Sequence, residues 1–253
     1  MSEASSAVIS DLAPTGTLRV GLNMSNFLLT RTDAATGKPA GVAADLGREL
    51  GRRLGVPVEL VPFPNPGVLA DAAKSGVWDV AFIGAEPQRA SEIDFTAAYV
   101  EIEATYLVQP GSKLRKIEDV DKPGIRIAAP ERSAYELWLT RNIKSAELVR
   151  IKGADAAYKQ FVEGKLDALA GLRPRLVTDQ ENLAGSRILD GNFTAVQQAA
   201  GTPKGRSAGA RYLREFIEEL KETGRVAKAI EENGVRGLTV APASTLQDQR
   251  GAE

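Results

Sequence analysis

The sequence contains neither cysteine nor histidine. Their absence excludes disulfides, thiol nucleophiles, zinc sites built on Cys or His, and serine-histidine-aspartate catalysis. Any catalysis would have to use Asp, Glu, Lys, Tyr or Arg side chains. We therefore expect no metal site and no cofactor.

The sequence also lacks an excess of charge of one sign. Its 32 Lys and Arg residues balance 33 Asp and Glu residues, and no basic stripe stands out, so a nucleic-acid partner is not expected. No apolar run approaches the roughly 20 residues that span a bilayer. The first ten residues lack the apolar core of a secretory signal, which leaves the compartment open.

Two stretches of the chain show the same order of predicted elements, β-α-β-α-β. Apolar runs predict strands, and amphipathic spacing such as that of Val42, Leu46, Leu50 and Leu54 predicts helices. The first stretch has strands at 18–22, 58–61 and 79–83, with helices at 42–54 and 68–75. The second has strands at 125–129, 147–151 and 167–170, with helices from 133 and at 154–163.

This repetition predicts an α/β fold of two Rossmann-like lobes joined by two extended hinge strands. Ser133 and Glu136 form an S-x-x-E capping box, in which the serine hydroxyl accepts from the N3 amide and the glutamate reaches back. A last helix is predicted over 208–233, and 201–207 is interpreted as a connector because it lacks the spacing of a phosphate loop. The predicted boundaries are lobe 1 at 17–106 plus 198–240, lobe 2 at 110–193, hinges near 106–109 and 194–197, and peripheral tails at 1–16 and 242–253.

Candidate ligand-binding residues follow from the rule that open parallel sheets bind ligands beyond the carboxyl ends of their strands. Arg89, after a predicted helix start at Pro87, suits a carboxylate, although an ion pair with Glu92 or Asp94 is the alternative. For Arg173 the alternative is a solvated loop arginine, and for Phe27 it is core packing. The full candidate set is Asn23, Asn26, Phe27, Gly84, Ala85, Glu86, Arg89, Arg132, Ser133, Ala134, Arg173 and Gln197.

Several short motifs, in this order and spacing, resemble the family 3 extracellular solute-binding proteins of ABC importers. They are Thr17-Leu-Arg-Val-Gly21, Gly41-Val-Ala-Ala-Asp-Leu46, Lys74-Ser-Gly-Val-Trp-Asp79, Arg89 and Asp94-Phe-Thr96, and the likeness runs from about 17 to 234. The resemblance implies a type II periplasmic-binding fold with venus-flytrap closure and a periplasmic location. It also implies that Arg89 binds a ligand carboxylate and that the loop at Ser133 adds hydrogen-bond donors. The implied partners are a small anionic or zwitterionic solute and ABC permease subunits, and the protein is expected to be a monomer.

Two departures from the family pattern bear on the ligand. Gly84-Ala-Glu86 carries no hydroxyl before Arg89, and where the family usually has an ammonium-binding Asp this chain has Gly171, Leu172 and Arg173. An organic acid therefore competes with an amino acid as ligand, unless Glu86 or Glu131 accepts the ammonium. Two other functions stay open: a lyase similar to cyclohexadienyl dehydratase, using Glu86 or Glu131 as its acid, and a cytoplasmic ligand sensor.

Overall fold

The strands and helices of the chain follow the order that its apolar runs predict, with several short additions. The computed structural model describes residues 4–244. In the described part no helix is long and apolar enough to cross a membrane. The elements are α1 (Ser6–Leu12), β1 (Leu18–Asn23), β2 (Arg31–Thr32), β3 (Pro39–Ala40), α2 (Val42–Leu54), β4 (Val58–Phe63), α3 (Pro66–Asp71), β5 (Val80–Gly84), β6 (Ile93–Val108), β7 (Arg126–Pro130), α4 (Ala134–Asn142), β8 (Glu147–Ile151), α5 (Ala154–Glu163), β9 (Ala168–Leu172), α6 (Arg173–Glu181), β10 (Arg187–Ile188), β11 (Thr194–Pro203), α7 (Ser207–Glu222), α8 (Arg225–Glu232) and β12 (Thr239–Val240).

The chain divides into two compact units. Unit 1 comprises the described residues of Met1–Glu101 and Gln197–Glu253, and unit 2 comprises Ile102–Val196. The chain thus passes from one unit to the other inside β6 and inside β11. The first boundary lies earlier than the predicted 106–109, because β6 is a 16-residue strand whose second half belongs to unit 2.

Unit 1 is built on a parallel core of three strands. β1 lies between β4 and β5 and pairs with both in parallel, with Leu18 opposite Val58 and Val20 opposite Val80. β11 pairs antiparallel with β5. Parallel pairing places the carboxyl ends of β1 and β5 at the same edge of the sheet, which is the edge that carries the predicted ligand residues.

Unit 2 repeats this arrangement around β7. β7 pairs in parallel with β8 on one side and with β9 on the other. β9 in turn pairs antiparallel with the second half of β6, and β10 adds a short antiparallel edge. The helices α4, α5 and α6 each begin just after the carboxyl end of one of these parallel strands. Their amino termini therefore share one edge of this unit's sheet.

Some sequence predictions about the ends of the chain are wrong. The segment predicted as one helix over 208–233 is two helices, because Gly224 takes a left-handed conformation with φ of 72° between them. The predicted tail at 1–16 contains α1, whose Leu12 is fully buried. Of the tail predicted at 242–253, only 242–244 lie within the described residues, and there the Lys221 ammonium donates to the Pro242 carbonyl at 3.0 Å.

Two other segments also differ from prediction. The stretch at 201–207, interpreted as a connector, continues β11 as far as Pro203 before α7 begins. A loop at Arg173, which was one of the two alternatives for this residue, is absent, because α6 starts at Arg173, with Pro174 in its first turn. Proline at this place is compatible with a helix, because the first turn has no internal acceptor for its missing N–H.

A fully buried carboxylate ties the beginning and end of unit 1 together. Asp79 lies at the start of β5, and its oxygens accept from the Arg19 guanidinium at 2.8 Å and from Arg206 at 2.9 Å. Arg206 also donates to the Asp11 carbonyl of α1 at 2.8 Å. A buried charge is tolerated only when it is paired and hydrogen-bonded, as it is here.

We predict that Tyr99→Phe stabilises the protein. Tyr99 is completely buried and packs edge-on against Phe82 at 5.6 Å between ring centroids, and its hydroxyl has no hydrogen-bond partner among residues 4–244. Removing an unsatisfied buried hydroxyl should raise the free energy of unfolding by about 1 kcal/mol, measured by urea denaturation. Tyr158→Phe, at a half-buried tyrosine, is the control and should change it by less than about 0.5 kcal/mol. A loss of stability in Tyr99→Phe would contradict this account.

Candidate functional site

In unit 1 the loop after β1 is held by its own polar groups. The Asn23 side-chain oxygen accepts from the Ser25 amide and hydroxyl, and the Asn26 side-chain oxygen accepts from the Leu28 amide. The Thr30 hydroxyl donates to the Asn23 carbonyl at 2.7 Å. Both candidate asparagines therefore help to form the turn after β1, and this leaves their amide NH2 groups as donors.

Phe27 lies in the same loop and is 49% exposed. The alternative that this ring packs in the core is therefore wrong. An exposed aromatic face beside the carboxyl end of β1 is available for contact with an apolar part of a ligand.

Arg89 is the buried cation of this edge. Arg89 is only 5% exposed, and its guanidinium donates to the Gly84 carbonyl at 2.7 Å. Arg89 begins a 3-10 turn, Arg89–Ser91. Only this turn forms where a helix was predicted to start at Pro87. Glu92, named as its alternative partner, forms an ion pair with Lys74 at 2.8 Å. The structure thus fixes Arg89 at the carboxyl end of β5, the place that the sequence predicts.

The backbone around Gly84 is partly occupied. The Ala85 amide donates to the Gln197 carbonyl at 2.7 Å, which extends the pairing of β5 with β11. The Glu86 carbonyl accepts from the amides of Arg89 and Ala90, and Glu86 is 9% exposed. Ala85 and Gln197 therefore do not offer these backbone groups to a ligand, and any contact they make uses other atoms.

In unit 2 the turn after β7 differs from the predicted capping box. The Ser133 hydroxyl accepts from the Glu136 amide at 3.2 Å, as predicted. The Glu136 carboxylate, however, accepts from the Arg132 amide at 2.8 Å, while the Ser133 amide donates to the Pro130 carbonyl. Arg132 has a left-handed backbone with φ of 61°, and its N–H, in place of the Ser133 N–H, faces the Glu136 carboxylate.

Ala134 and Ser133 are both buried at the start of α4. Ala134 belongs to a small apolar cluster with Ala104 and Val196, against which Leu172 packs. Leu172 is one of the three residues, Gly171, Leu172 and Arg173, that stand where the family usually has an acid, and its side chain is apolar.

Arg173 does not present a bare positive charge. Its Nε donates to the Glu103 carboxylate at 2.6 Å, and its guanidinium also donates to the Gly191 carbonyl. The alternative of a solvated loop arginine is wrong in two respects, because Arg173 is helical and ion-paired. Its charge is compensated by Glu103, so it repels an ammonium group less than its sequence position suggests.

The carboxylates near this edge of unit 2 differ in whether they form an ion pair. Glu136 is paired with Arg150, and Asp155 and Asp179 are both paired with Arg175. Glu131, directly after β7 and half-buried, has no hydrogen bond or ion pair of its carboxylate among the described residues.

Sequence reasoning missed a polar cluster where α4, α5 and α6 begin. It contains Arg175, Asp179, Asp155 and Tyr135, and burial raises the pKa of the Tyr135 hydroxyl to about 12, with an opposing contribution from its hydrogen bond to Ser133. The available signal was the i, i+4 spacing of Arg175 and Asp179, which indicates an ion pair on a helix.

A surface cavity of about 450 Å³ lies elsewhere on unit 2. Its walls are Ile151, Ala156, Lys159, Gln160, Glu163 and Gly164. None of these is a predicted ligand residue, and the charged pair Lys159 and Glu163 is itself mostly exposed. The cavity is a groove along one face of α5 and does not belong to the edge described above.

The chain is similar to solved solute-binding proteins. An ancestral amino-acid-binding protein, described as a precursor of cyclohexadienyl dehydratase, matches 89% of this chain and 98% of its own with a TM-score of 0.73 and 22% identity. An amino-acid ABC transporter substrate-binding protein from Streptococcus pneumoniae bound to L-arginine matches 88% and 96%, with a TM-score of 0.71 and 22% identity. These likenesses show the type II periplasmic-binding fold.

Sequence comparison identifies the family. The glutamine-binding protein of an ABC transporter from Bacillus subtilis (strain 168) is 24% identical over 146 residues, which are 58% of this chain and about half, 53%, of that protein. The model of the bacterial extracellular solute-binding proteins, family 3, matches residues 18–234. The chain belongs to the bacterial extracellular solute-binding proteins of family 3.

Proposed function

We propose that this protein binds a small carboxylate-bearing solute, an amino acid or a related organic acid, as the substrate-binding subunit of an ABC importer. Membership of the family supports the general role. The observation that carries the proposal for this chain is Arg89, a buried arginine anchored at the carboxyl end of β5. Permease subunits are the expected partners and the periplasm the expected location, and both follow from the family.

Arg89 is suited to a carboxylate for two physical reasons. Its bond to the Gly84 carbonyl fixes the orientation of the planar guanidinium before a ligand arrives, so little side-chain entropy is lost on binding. Its burial lowers the local dielectric constant, which strengthens a charge-assisted hydrogen bond relative to one at the surface. The same two features would be of no use to a cationic ligand lacking a carboxylate.

We propose further that Glu131 accepts the ammonium group when the solute is an amino acid. Glu131 is half-buried, its carboxylate has no partner among the described residues, and it lies in the same turn as Ser133. Because Arg173 is paired with Glu103, it repels an ammonium group near this edge less than an unpaired arginine would. An amino-acid ligand is therefore compatible with a chain that has Gly171, Leu172 and Arg173 where the family usually has an acid.

Binding is proposed to involve both units and to end in closure around the solute, without chemical conversion of it. The family and the shared fold support this, since differential contacts with two bodies joined by extended strands favour a closed state. A lyase on the same fold would instead convert prephenate or arogenate. Sustained turnover of either compound by the purified protein would replace the binding proposal.

The first prediction concerns Arg89. A thermal-shift screen of amino acids and organic acids should identify carboxylates that raise the melting temperature, because a ligand that binds only the native state stabilises it. For those compounds, Arg89→Ala should weaken binding by about 1.5–3 kcal/mol, roughly 10- to 150-fold, in titration calorimetry.

Arg89→Lys is the matched variant, since it keeps the charge but loses the bidentate contact. Its affinity should lie between those of the unchanged protein and Arg89→Ala. Far-ultraviolet circular dichroism checks that each variant is folded. Equal affinity in the unchanged protein and in a folded Arg89→Ala variant would remove the proposed role of this residue.

The second prediction concerns Glu131. Glu131→Gln should weaken binding of an amino acid by roughly tenfold through the loss of one charge-assisted contact, and should leave the affinity for its des-amino analogue unchanged. Glu147→Gln, at the amino end of β8 and thus at the opposite edge of the sheet, is the control and should affect neither compound. If the two ligands lose affinity equally, Glu131 does not recognise the ammonium.

The third prediction concerns closure. Small-angle X-ray scattering with a saturating carboxylate found in the screen should give a smaller radius of gyration than scattering without it. Superimposable profiles at confirmed saturation would mean that binding proceeds without closure.

A further inference from the structure

The turn between β7 and α4 contains an unusual backbone conformation. Arg132 has φ of 61°, and among the described residues it is one of two non-glycine residues in the left-handed region, the other being Lys165. A side chain in this region brings Cβ close to the following carbonyl, so the conformation is disfavoured unless its surroundings impose it. Ser133 follows immediately and starts α4.

Glu136 supplies the contact that imposes it. One carboxylate oxygen of Glu136 accepts from the Arg132 amide at 2.8 Å. The other accepts from the Arg150 Nε at 2.8 Å and from the Thr140 hydroxyl at 2.7 Å. Glu136 is only 3% exposed, so these bonds compete little with water. Arg150 and Thr140 thus hold the carboxylate still while it holds the Arg132 amide.

We propose that Glu136 is a positioning residue for solute binding. By accepting from the Arg132 amide, it keeps the turn in the left-handed conformation and sets where Ser133 and the first turn of α4 stand. Glu136 touches no solute itself. The inference rests on the proposed function, because it takes Ser133 to be a ligand residue. The part that concerns the conformation of the turn does not depend on what the protein binds.

The position of the contact separates this role from ordinary helix capping. In a capping box the glutamate accepts from the N-cap amide and so stabilises the helix end. Here the N-cap amide of Ser133 is bonded to Pro130, and Glu136 reaches the residue before it. The contact therefore stabilises the approach to the helix, which is the part of the chain that a solute at this edge would meet.

The turn can be tested without any solute. In the unliganded protein, Glu136→Gln should speed amide hydrogen exchange at Arg132 by roughly tenfold, because an amide NH2 and a single oxygen cannot satisfy donors on both sides of the side chain. Glu147→Gln makes the same chemical change at the amino end of β8, away from the turn, and should leave exchange at Arg132 unchanged. Equal exchange in Glu136→Gln and the unchanged protein would overturn the proposal, whatever the protein binds.

The consequence for binding can be isolated with a pair of backgrounds. Arg132→Ala and Arg132→Gly both remove the arginine side chain, but only glycine adopts φ near 60° without cost. Glu136→Gln should weaken binding of L-arginine or L-glutamine on the order of tenfold in the Arg132→Ala background, since fewer molecules have the competent turn. In the Arg132→Gly background the same change should weaken binding less than about threefold.

Equal losses in the two backgrounds would show that Glu136 acts through something other than this conformation, and the proposal would fail. The melting temperature of each variant is recorded, because a purely structural role would lower it equally in both backgrounds. Failure of the proposed function gives a different result. Then the unchanged protein binds neither amino acid and no other carboxylate in the screen, while the exchange experiment still decides the role of Glu136 in the turn.

Discussion

Parallel strand pairing is the constraint on which the rest of this structure depends. β1 pairs in parallel with β4 and β5, and β7 pairs in parallel with β8 and β9. Parallel strands must return by a crossover, so in each unit their carboxyl ends reach one edge together with the amino termini of the following helices. Residues far apart in sequence are thereby collected at one edge of each sheet, and the candidate ligand residues are of this kind.

Three buried ionic groups, Asp79, Glu136 and Arg89, are each satisfied in a different way. Asp79 lies at the amino end of β5, away from the candidate residues, and is neutralised by two arginines. Glu136 is neutralised by Arg150 and also binds a backbone amide. Arg89 is anchored by a carbonyl at the carboxyl end of its strand. The first is a structural group, the second shapes a turn, and the third is the cation best placed for an anionic solute.

The departures of this chain from the family pattern become physically understandable in the structure. Of the three residues at the place of the usual acid, Gly171, Leu172 and Arg173, the second packs with an apolar cluster and the third is bound to Glu103. The local charge of this edge is therefore nearer to neutral than the sequence Gly-Leu-Arg suggests. Together with Glu131, whose carboxylate has no partner among residues 4–244, this supports the proposal that the solute is an amino acid.

The sequence by itself determined the family, the α/β class, the strands around which both units are built and the position of Arg89. These follow from apolar runs, helical spacing and strand-end position, which are local properties of the chain. It did not determine that Gly224 divides the last helix or that Arg173 begins α6, because a helix break and a helix start depend on what the neighbouring segments pack against. Nor did it determine that Glu136 would hold the Arg132 amide, or that Glu103 would neutralise Arg173. Those contacts join residues that are 4 and 70 positions apart in the sequence. Whether a charged side chain is paired, buried or left for a solute depends on which groups share a low-dielectric environment, and only the tertiary structure decides that.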